Sequence, residues 1–446
     1  SPFAAQIRFA GRLGKERTGT VAHPDGMRPR SQRGMQGDFR HLPEIDTLPG
    51  GHMQRTPKEE LDRRIKALQA RLSAAKIDGA LIAQNADLFY FTGTVPQGWL
   101  FVPADGHPIL FIRKNPNRVR SETPLEHLFN ARSPRELASV LADKGYKKIK
   151  RLGMELDVLP FNQYARYLEA LQPGEIVDVS PVIQGIRSVK SPFEIAIVRQ
   201  AAKLGDYMMR VARESLREGM TELELSARIE MAARARGHQG YVRMRGFNAE
   251  CYWGPVVSGA AAAEPAFVDT TEGGHGASLA LPAGAGHRLI GRNEPVIVDM
   301  AATIGGYNAD ITRTFSLGRL PEKLESAYRE SLEILQALAG DIHPGVAVSE
   351  LYLKAERLAE KKKLLPHFMG FGNDKAGFCG HGLGLELDEP PVISPNSKAV
   401  LMPGNVIALE PKFTFPGEGV VGVEDVFLVT ENGGEKLTKS GYGVKI

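Results

Sequence analysis

The clearest structural signal in this chain is the segment PVIVDMAATIGGYNADITRTF, residues 295–315. An apolar run ends at Asp299, a second strand-like run begins at Asp310, and Gly305-Gly306 lies between them. A glycine pair between two such runs is typical of a two-residue hairpin turn. A turn placed midway between the acids, at Ile304/Gly305, pairs them directly across the ladder, with Cβ atoms about 5 Å apart.

A second pair of acids is arranged in the same way in VIALEPKFTFPGEGVVGVEDVF, residues 406–427. Glu410 and Glu424 are equidistant from Gly417, so a short odd-length loop sets them opposite each other. Directly opposed like charges destabilise a hairpin. A single acid usually faces solvent or caps a turn, but Asp299 and Glu410 end runs typical of buried strands, where a carboxylate must be paired or metal-bound. We therefore expect a cation between the two hairpins.

Two divalent cations about 3.5 to 4 Å apart balance the charge of these four carboxylates and can activate a bridging water. His381 adds a neutral ligand, since the glycines around it in Gly380–Gly384 let the backbone approach an ion or a substrate. A carboxylate-rich set with one imidazole suits Mn, Co, Zn or Fe. The sequence thus predicts two divalent metal ions of one of these kinds.

The motifs around these residues resemble those of the Xaa-Pro aminopeptidase and prolidase family, which has a creatinase-type C-terminal pita-bread fold. The matching stretches are Val298-Asp299, Gly306–Phe315, Gly380–Leu387, Leu409–Pro411, Glu424-Asp425 and, upstream, Gly185–Ile195. The resemblance covers about residues 56–446. It implies an α/β N-terminal domain followed by an α+β pita-bread catalytic domain.

The resemblance also implies the site residues. Its metal ligands are Asp299, Asp310, His381, Glu410 and Glu424. Glu410 has a second implied role as the base for the activated water. Glu410 and His381 are the first two catalytic candidates. The implied enzyme is a metallo-aminopeptidase or dipeptidase of the Xaa-Pro type, which cleaves an N-terminal peptide bond next to proline.

The chain departs from the family pattern at three positions. Ala283 and Asp388 stand where the family has histidines, and Gly422 stands where it often has an arginine. His275 or His287 could replace the missing histidines, or Asp388 itself could transfer protons, so these three are further catalytic candidates. A lone histidine is, however, more often a solvated loop residue.

Two alternatives to an Xaa-Pro peptidase stay open. The same departures fit a creatinase-type hydrolase of nonpeptide C–N bonds, and they fit a binding protein that retains the metals without catalysis. Five intact ligands favour the peptidase, since a site without catalysis has little physical use for four clustered acids.

Composition agrees with an enzyme of two or three domains. The chain has 446 residues, of which 42% are hydrophobic, and a net charge of only +4. Its scattered charges give no reason to expect nucleic acid or membrane as a partner. Cys251 and Cys379 lie far apart without CxxC spacing, which fits a reducing, cytoplasmic location. We expect a peptide or small amide substrate and, from family likeness alone, a homodimer.

We predict three segments along the chain. Residues 1–52 are expected to be a disordered or vector-derived leader, since they lack apolar periodicity and Gly51-His52-Met53 looks like a cloning junction. Residues 53–185 are predicted to form a creatinase/prolidase-like N-terminal α/β domain. Residues 186–446 are predicted to form the pita-bread metallopeptidase-like domain.

Local signals predict several elements within these domains. Thr56-Pro57 and Ser191-Pro192 are typical helix starts, and Thr221 begins a capping box. The apolar run Leu88–Phe91 predicts a strand. The Gly/Ala-rich segment Ser258–Gly291 predicts a lid, a substrate loop or a passive connection.

Overall fold

The structure is a computed structural model that describes residues 55–446, so the predicted leader at residues 1–52 lies outside the described residues. The first part is built on a six-stranded mixed sheet with the order β4-β3-β2-β1-β5-β6. Its strands are β1 (Gly79–Ile82), β2 (Gly98–Pro103), β3 (Ile109–Ile112), β4 (Leu128–Asn130), β5 (Arg151–Met154) and β6 (Glu175–Asp178). β1 pairs antiparallel with β2 and parallel with β5. Every residue of β1 and β3 is buried, which explains why these strands are continuous apolar runs.

In the part of the chain that the structure describes, six helices accompany this sheet. They are α1 (Lys58–Ala74), α2 (Asn85–Thr92), α3 (Pro116–Glu122), α4 (Pro134–Asp143), α5 (Phe161–Leu171) and α6 (Ser180–Arg187). The predicted strand at Leu88–Phe91 is wrong, because these residues belong to α2. The Gln84 side chain caps that helix, and Gly93 ends it with a left-handed φ of 72°. A short, fully apolar run does not separate a buried strand from a buried helix.

The second part begins with two long helices, α7 (Pro192–Ser215) and α8 (Glu222–Ala235). Ser191 and Thr221 form capping boxes at their starts, as predicted. Thr56 does not cap α1, which begins after Pro57 without a side-chain cap. The predicted domain boundary at residues 185/186 falls inside α6, and it stays a prediction.

The remaining elements form the two acidic hairpins and their surroundings. The helices are α9 (Gly259–Ala262), α10 (Glu322–Gly340) and α11 (Val348–Lys361), with a 3₁₀ turn at Leu365–His367. The strands are β7 (Val256–Ser258), β8 (Val296–Ile304), β9 (Tyr307–Phe315), β10 (Gly370–Phe371), β11 (Asp374–Lys375), β12 (Gly380–Gly382), β13 (Val406–Leu409), β14 (Lys412–Phe415), β15 (Gly419–Gly422), β16 (Asp425–Thr430) and β17 (Gly433–Lys436). Within residues 55–446, no helix is both long and apolar enough to cross a bilayer.

The β8–β9 hairpin has a register that differs from the prediction. Both glycines of Gly305-Gly306 have positive φ, 58° and 89°, so they take the two central turn positions. Asp299 therefore lies opposite Thr312, and Asp310 lies opposite Ala301. The acids are diagonal neighbours on one face of the hairpin rather than a directly opposed pair.

The second acidic pair keeps the predicted register. Leu409 pairs with Asp425 on one side of it and Lys412 pairs with Gly422 on the other, which places Glu410 opposite Glu424. A single bridge between Thr312 and Glu424 joins the two hairpins. The four acids therefore converge from both hairpins on one region.

Candidate metal centre

The acids of the two hairpins line a cavity of about 680 Å³. Eight acidic residues face it, against Arg245 and His381 as the basic ones; the acids are Glu250, Asp269, Glu272, Asp299, Asp310, Asp388, Glu410 and Glu424. The ammonium group of Lys412 lies among these acids and neutralises part of their charge, but the acidic groups still outnumber the basic ones and attract cations.

Three of the predicted ligands form a compact group at this cavity. Asp310, His381 and Glu424 are buried and each offers one ligand atom, all within 4.8 Å of one another. The Nδ1 atom of His381 lies 3.0 Å from the Gly382 carbonyl oxygen and 3.2 Å from Oδ1 of Asp388. When Nδ1 carries the proton, Nε2 turns its lone pair toward Oε1 of Glu424, 3.7 Å away.

The Oε1 atom of Glu424 is buried and has no hydrogen-bond partner. A buried carboxylate oxygen left in this state needs an explanation, and an ion is one of the standard ones. The oxygen and the lone pair of His381 are both acceptors, so only a cation or a proton stabilises them together. The group with Asp310 therefore fits a divalent metal ion by its chemistry.

The other two predicted ligands have a different partner, the buried ammonium group of Lys412. Its Nζ lies 2.6 Å from Oδ2 of Asp299 and 3.0 Å from Oε2 of Glu410. It also lies 3.2 Å from Oε1 of Glu272 and 3.8 Å from Oε2 of Glu424. The cation that we expected between the hairpins is here supplied, in part, by the chain itself.

The backbone makes room for this lysine. Lys412 begins β14, and its cross-strand partner on β15 is Gly422. A Cβ atom added at Gly422 would lie only 2.5 Å from Cγ of Lys412. The lysine side chain thus fills the space that a side chain at position 422 would need.

The charges at the site shift the pKa of each acid according to its neighbours. Burial, followed by the charges of Glu424 and Asp299, raises the pKa of Asp310 well above its ordinary value. Burial also raises the pKa of Glu410, to about 7, although Lys412 opposes the shift. At Asp299 burial acts in the same direction, but the charge of Lys412 and hydrogen bonds together outweigh it and lower the pKa to about 2. Asp299 is therefore a permanent anion beside the ammonium group.

The structure brings together some of the catalytic candidates and not others. Asp388 lines the cavity and contacts His381. His275 is exposed and pairs with Glu264 at 3.0 Å, and His287 is exposed as well. Neither histidine lines the cavity. Ala283 and Asp388, which stand where the family has histidines, both line the cavity.

Sequence reasoning missed two residues of the site. Lys412 could have been found from the sequence, because it lies two residues after Glu410 in an extended segment and its side chain therefore projects to the same face. It also lies opposite Gly422, which stands where the family often has an arginine. No sequence pattern could have revealed Glu272, since it lies in the irregular Gly/Ala-rich segment, where no periodicity assigns a side chain to a face.

Comparison with known proteins identifies the fold. The sequence model of metallopeptidase family M24 matches residues 196–431, and that of the creatinase/prolidase N-terminal domain matches residues 64–189. A protein named Xaa-Pro dipeptidase from Pyrococcus furiosus is 29% identical over 385 residues, which cover 86% of this chain and 98% of that protein.

Solved structures agree with these matches. The prolidase from Pyrococcus horikoshii OT3 superposes with a TM-score of 0.72 at 26% identity, covering 86% of this chain and 99% of that one. An Xaa-Pro dipeptidase from Bacillus anthracis gives a TM-score of 0.74 at 25% identity, covering 86% and 100%. The predicted fold class, an α/β N-terminal domain with an α+β pita-bread domain, is confirmed. The chain therefore belongs to metallopeptidase family M24.

Proposed function

We propose that this chain hydrolyses the first peptide bond of a dipeptide or short peptide with proline in second position. The proposal is carried by one observation: the buried group of Asp310, His381 and Glu424 at the wall of an acidic cavity, in a chain of family M24. The relatives named Xaa-Pro dipeptidase and prolidase support the choice of proline.

The cavity favours the amino end of a peptide. Acidic side chains outnumber basic ones in its wall, so a free ammonium group at the substrate's N-terminus gains from lying near them. Aromatic and aliphatic groups, among them Trp253, Phe267 and Phe378, line the same cavity and can contact a proline ring.

The three ligands of the compact group would hold the metal ion. A divalent ion there would activate water and stabilise the oxyanion that forms at the scissile carbonyl. Glu410 lines the cavity with its raised pKa of about 7, so it can take a proton from the attacking water near neutral pH. Water adds to the carbonyl carbon, the C–N bond breaks, and that proton passes to the leaving proline nitrogen.

Asp388 is proposed as a positioning residue. Its Oδ1 atom lies 3.2 Å from Nδ1 of His381, and together with the Gly382 carbonyl it fixes the ring so that Nε2 faces the cavity. The predicted roles of His275 and His287 in proton transfer are not retained in this proposal, because both lie outside the cavity wall.

The test is turnover of a substrate panel with defined chemistry. The panel contains Ala-Pro, Leu-Pro, the tripeptide Ala-Pro-Ala, Ala-Ala, N-acetyl-Ala-Pro and creatine, each assayed with Mn²⁺, Co²⁺, Zn²⁺ or Fe²⁺ and after chelation. We expect cleavage of the free-amine Xaa-Pro substrates only, with loss of activity on chelation. Cleavage of the tripeptide would assign an aminopeptidase rather than a strict dipeptidase.

Two variants link this activity to the site. Asp310→Ala and His381→Ala should each reduce kcat/KM by more than about 100-fold, since even partners of metal ligands cost 10- to 100-fold. His275→Ala is the matched control, because this exposed histidine should leave kcat/KM unchanged. Cleavage of creatine alone would instead support the nonpeptide hydrolase. Bound metal without turnover of any substrate would support the binding protein and refute the proposal.

A further inference from the structure

We propose that the ammonium group of Lys412 takes the place of one of the two predicted metal ions, so that the centre holds a single divalent ion. The inference rests on the metal centre of the proposed function and deepens it. It starts from the contacts of Lys412, whose side chain is 1% exposed and whose Nζ has four carboxylates within 4.0 Å.

The first step concerns the ligands that a second ion would need. Asp299 is not part of the compact group, and its Oδ2 lies 2.6 Å from Nζ of Lys412. Within residues 55–446, Asp310, His381 and Glu424 are the only set of three whose ligand atoms converge closely enough to hold a metal. Asp299 has thus been drawn into an ion pair with lysine rather than into a second set of ligands.

The second step concerns space and charge. A divalent ion bound to Oδ2 of Asp299 would sit about 2 Å from that oxygen and close to the ammonium group, which lies 2.6 Å from the same oxygen. Two positive charges so close together in a buried site repel strongly. Because Lys412 already donates hydrogen bonds to both Asp299 and Glu410, a second ion would have to displace it from these two carboxylates.

The third step is the pair of cross-strand partners. Gly422 stands where the family often has an arginine, and its partner Lys412 supplies a cation from the opposite strand instead. The two positions are coupled by sterics, because a Cβ at Gly422 would lie 2.5 Å from Cγ of Lys412. The lysine therefore enters the site only in combination with this glycine.

Metal content of the whole protein tests the inference directly. The protein is stripped with a chelator, reloaded with Mn²⁺ and desalted; manganese per chain is then measured by mass spectrometry and the Mn²⁺ environment by EPR. We expect one ion per chain and the spectrum of isolated Mn²⁺. Two ions per chain with an exchange-coupled spectrum would overturn the inference and leave Lys412 as an outer partner of Asp299.

The variant Lys412→Ala provides a second test of the inference. Removing the ammonium group should raise the count from one to two ions per chain, with a coupled-pair spectrum, because Asp299 and Glu410 then lack a cation. A folded variant, as judged by circular dichroism, that still takes only one ion would also overturn the inference. Lys190→Ala is the matched control: Lys190 is buried against Glu389 at 3.2 Å, away from the cavity, and should leave the count at one.

If Lys412→Ala does not fold, the count and spectrum of the unaltered protein still decide the matter. These readouts also separate the inference from the proposed function. One ion per chain without cleavage of Xaa-Pro substrates would refute the function alone. Two coupled ions with cleavage would refute the inference alone.

Discussion

Replacing Arg187 by methionine should strongly destabilise the protein, because its guanidinium group is the centre of a buried ion network. The side chain is 2% exposed, and Nη1 lies 2.6 Å from Oδ1 of Asp87 and 2.9 Å from Oε2 of Glu386. Nη2 donates to Glu389. Arg187 is the last residue of α6, so these contacts link α2 of the N-terminal part to the segment that follows β12.

The magnitude follows from what remains after the substitution. Removing one member of a buried ion pair typically costs about 3 to 5 kcal/mol, because its partner stays buried without a counter-charge. Here some compensation persists. Arg245 lies 3.0 Å from Asp87, and Lys190 lies 3.2 Å from Glu389. Methionine also keeps most of the buried volume. We therefore expect a loss of about 3 kcal/mol, at the low end of that range.

Urea denaturation followed by circular dichroism and fluorescence measures this loss. The two tryptophans report on different parts, since Trp99 lies in β2 and Trp253 lies in the cavity wall. Arg199→Met is the matched control. Arg199 donates twice to Glu435, both times at 2.6 Å, but that pair is 41% and 45% exposed and should contribute no more than about 1 kcal/mol. Equal losses in the two variants would refute the reasoning from burial.

Three further substitutions test other features. Burial opposes the charge of Glu389, but Arg187, Lys190 and hydrogen bonds together outweigh burial and lower the pKa of Glu389 to about 2. The stability that the ionised group contributes is present above the ordinary value of 4.5 and is lost as pH falls toward 2, so Glu389→Gln should flatten the acid dependence of Tm between pH 5 and 2. Gly422→Ala should lower the free energy of unfolding by about 1 to 3 kcal/mol in urea titrations, because its Cβ overlaps Lys412. Ser191→Ala should cost about 1 kcal/mol in the same assay by removing a capping box, and an unchanged midpoint would contradict that role.

Much of the fold could be predicted from local chemistry. Ser191 and Thr221 place their helices correctly because a capping box depends on neighbouring residues only. Leu88–Phe91 failed because every position of a short apolar run can be buried in either a helix or a strand, and the tertiary environment chose the helix. The Gly93 C-cap was the available sign, since glycine takes the left-handed conformation that ends a helix.

The β8–β9 hairpin shows how far a turn motif determines geometry. The glycine pair fixed the turn type, but the direct pairing of Asp299 with Asp310 assumed that the turn is centred between the acids. The chain centres it where both glycines can take positive φ, one position further on. That shift offsets the acids diagonally, leaves them on the same face, and so preserves the convergence that the spacing predicted.

The sequence pattern could not identify the cation, and the reason is physical. Four acids in two hairpins establish that positive charge must be present, but charge balance alone does not distinguish a metal ion from an ammonium group. The distinction depends on whether Lys412 reaches inward, and that depends on the absence of a side chain at Gly422 across the strand pair. The glycine in place of the family's arginine at position 422 and the lysine at position 412 are therefore one structural change: the glycine opens the space, and the lysine brings in the charge.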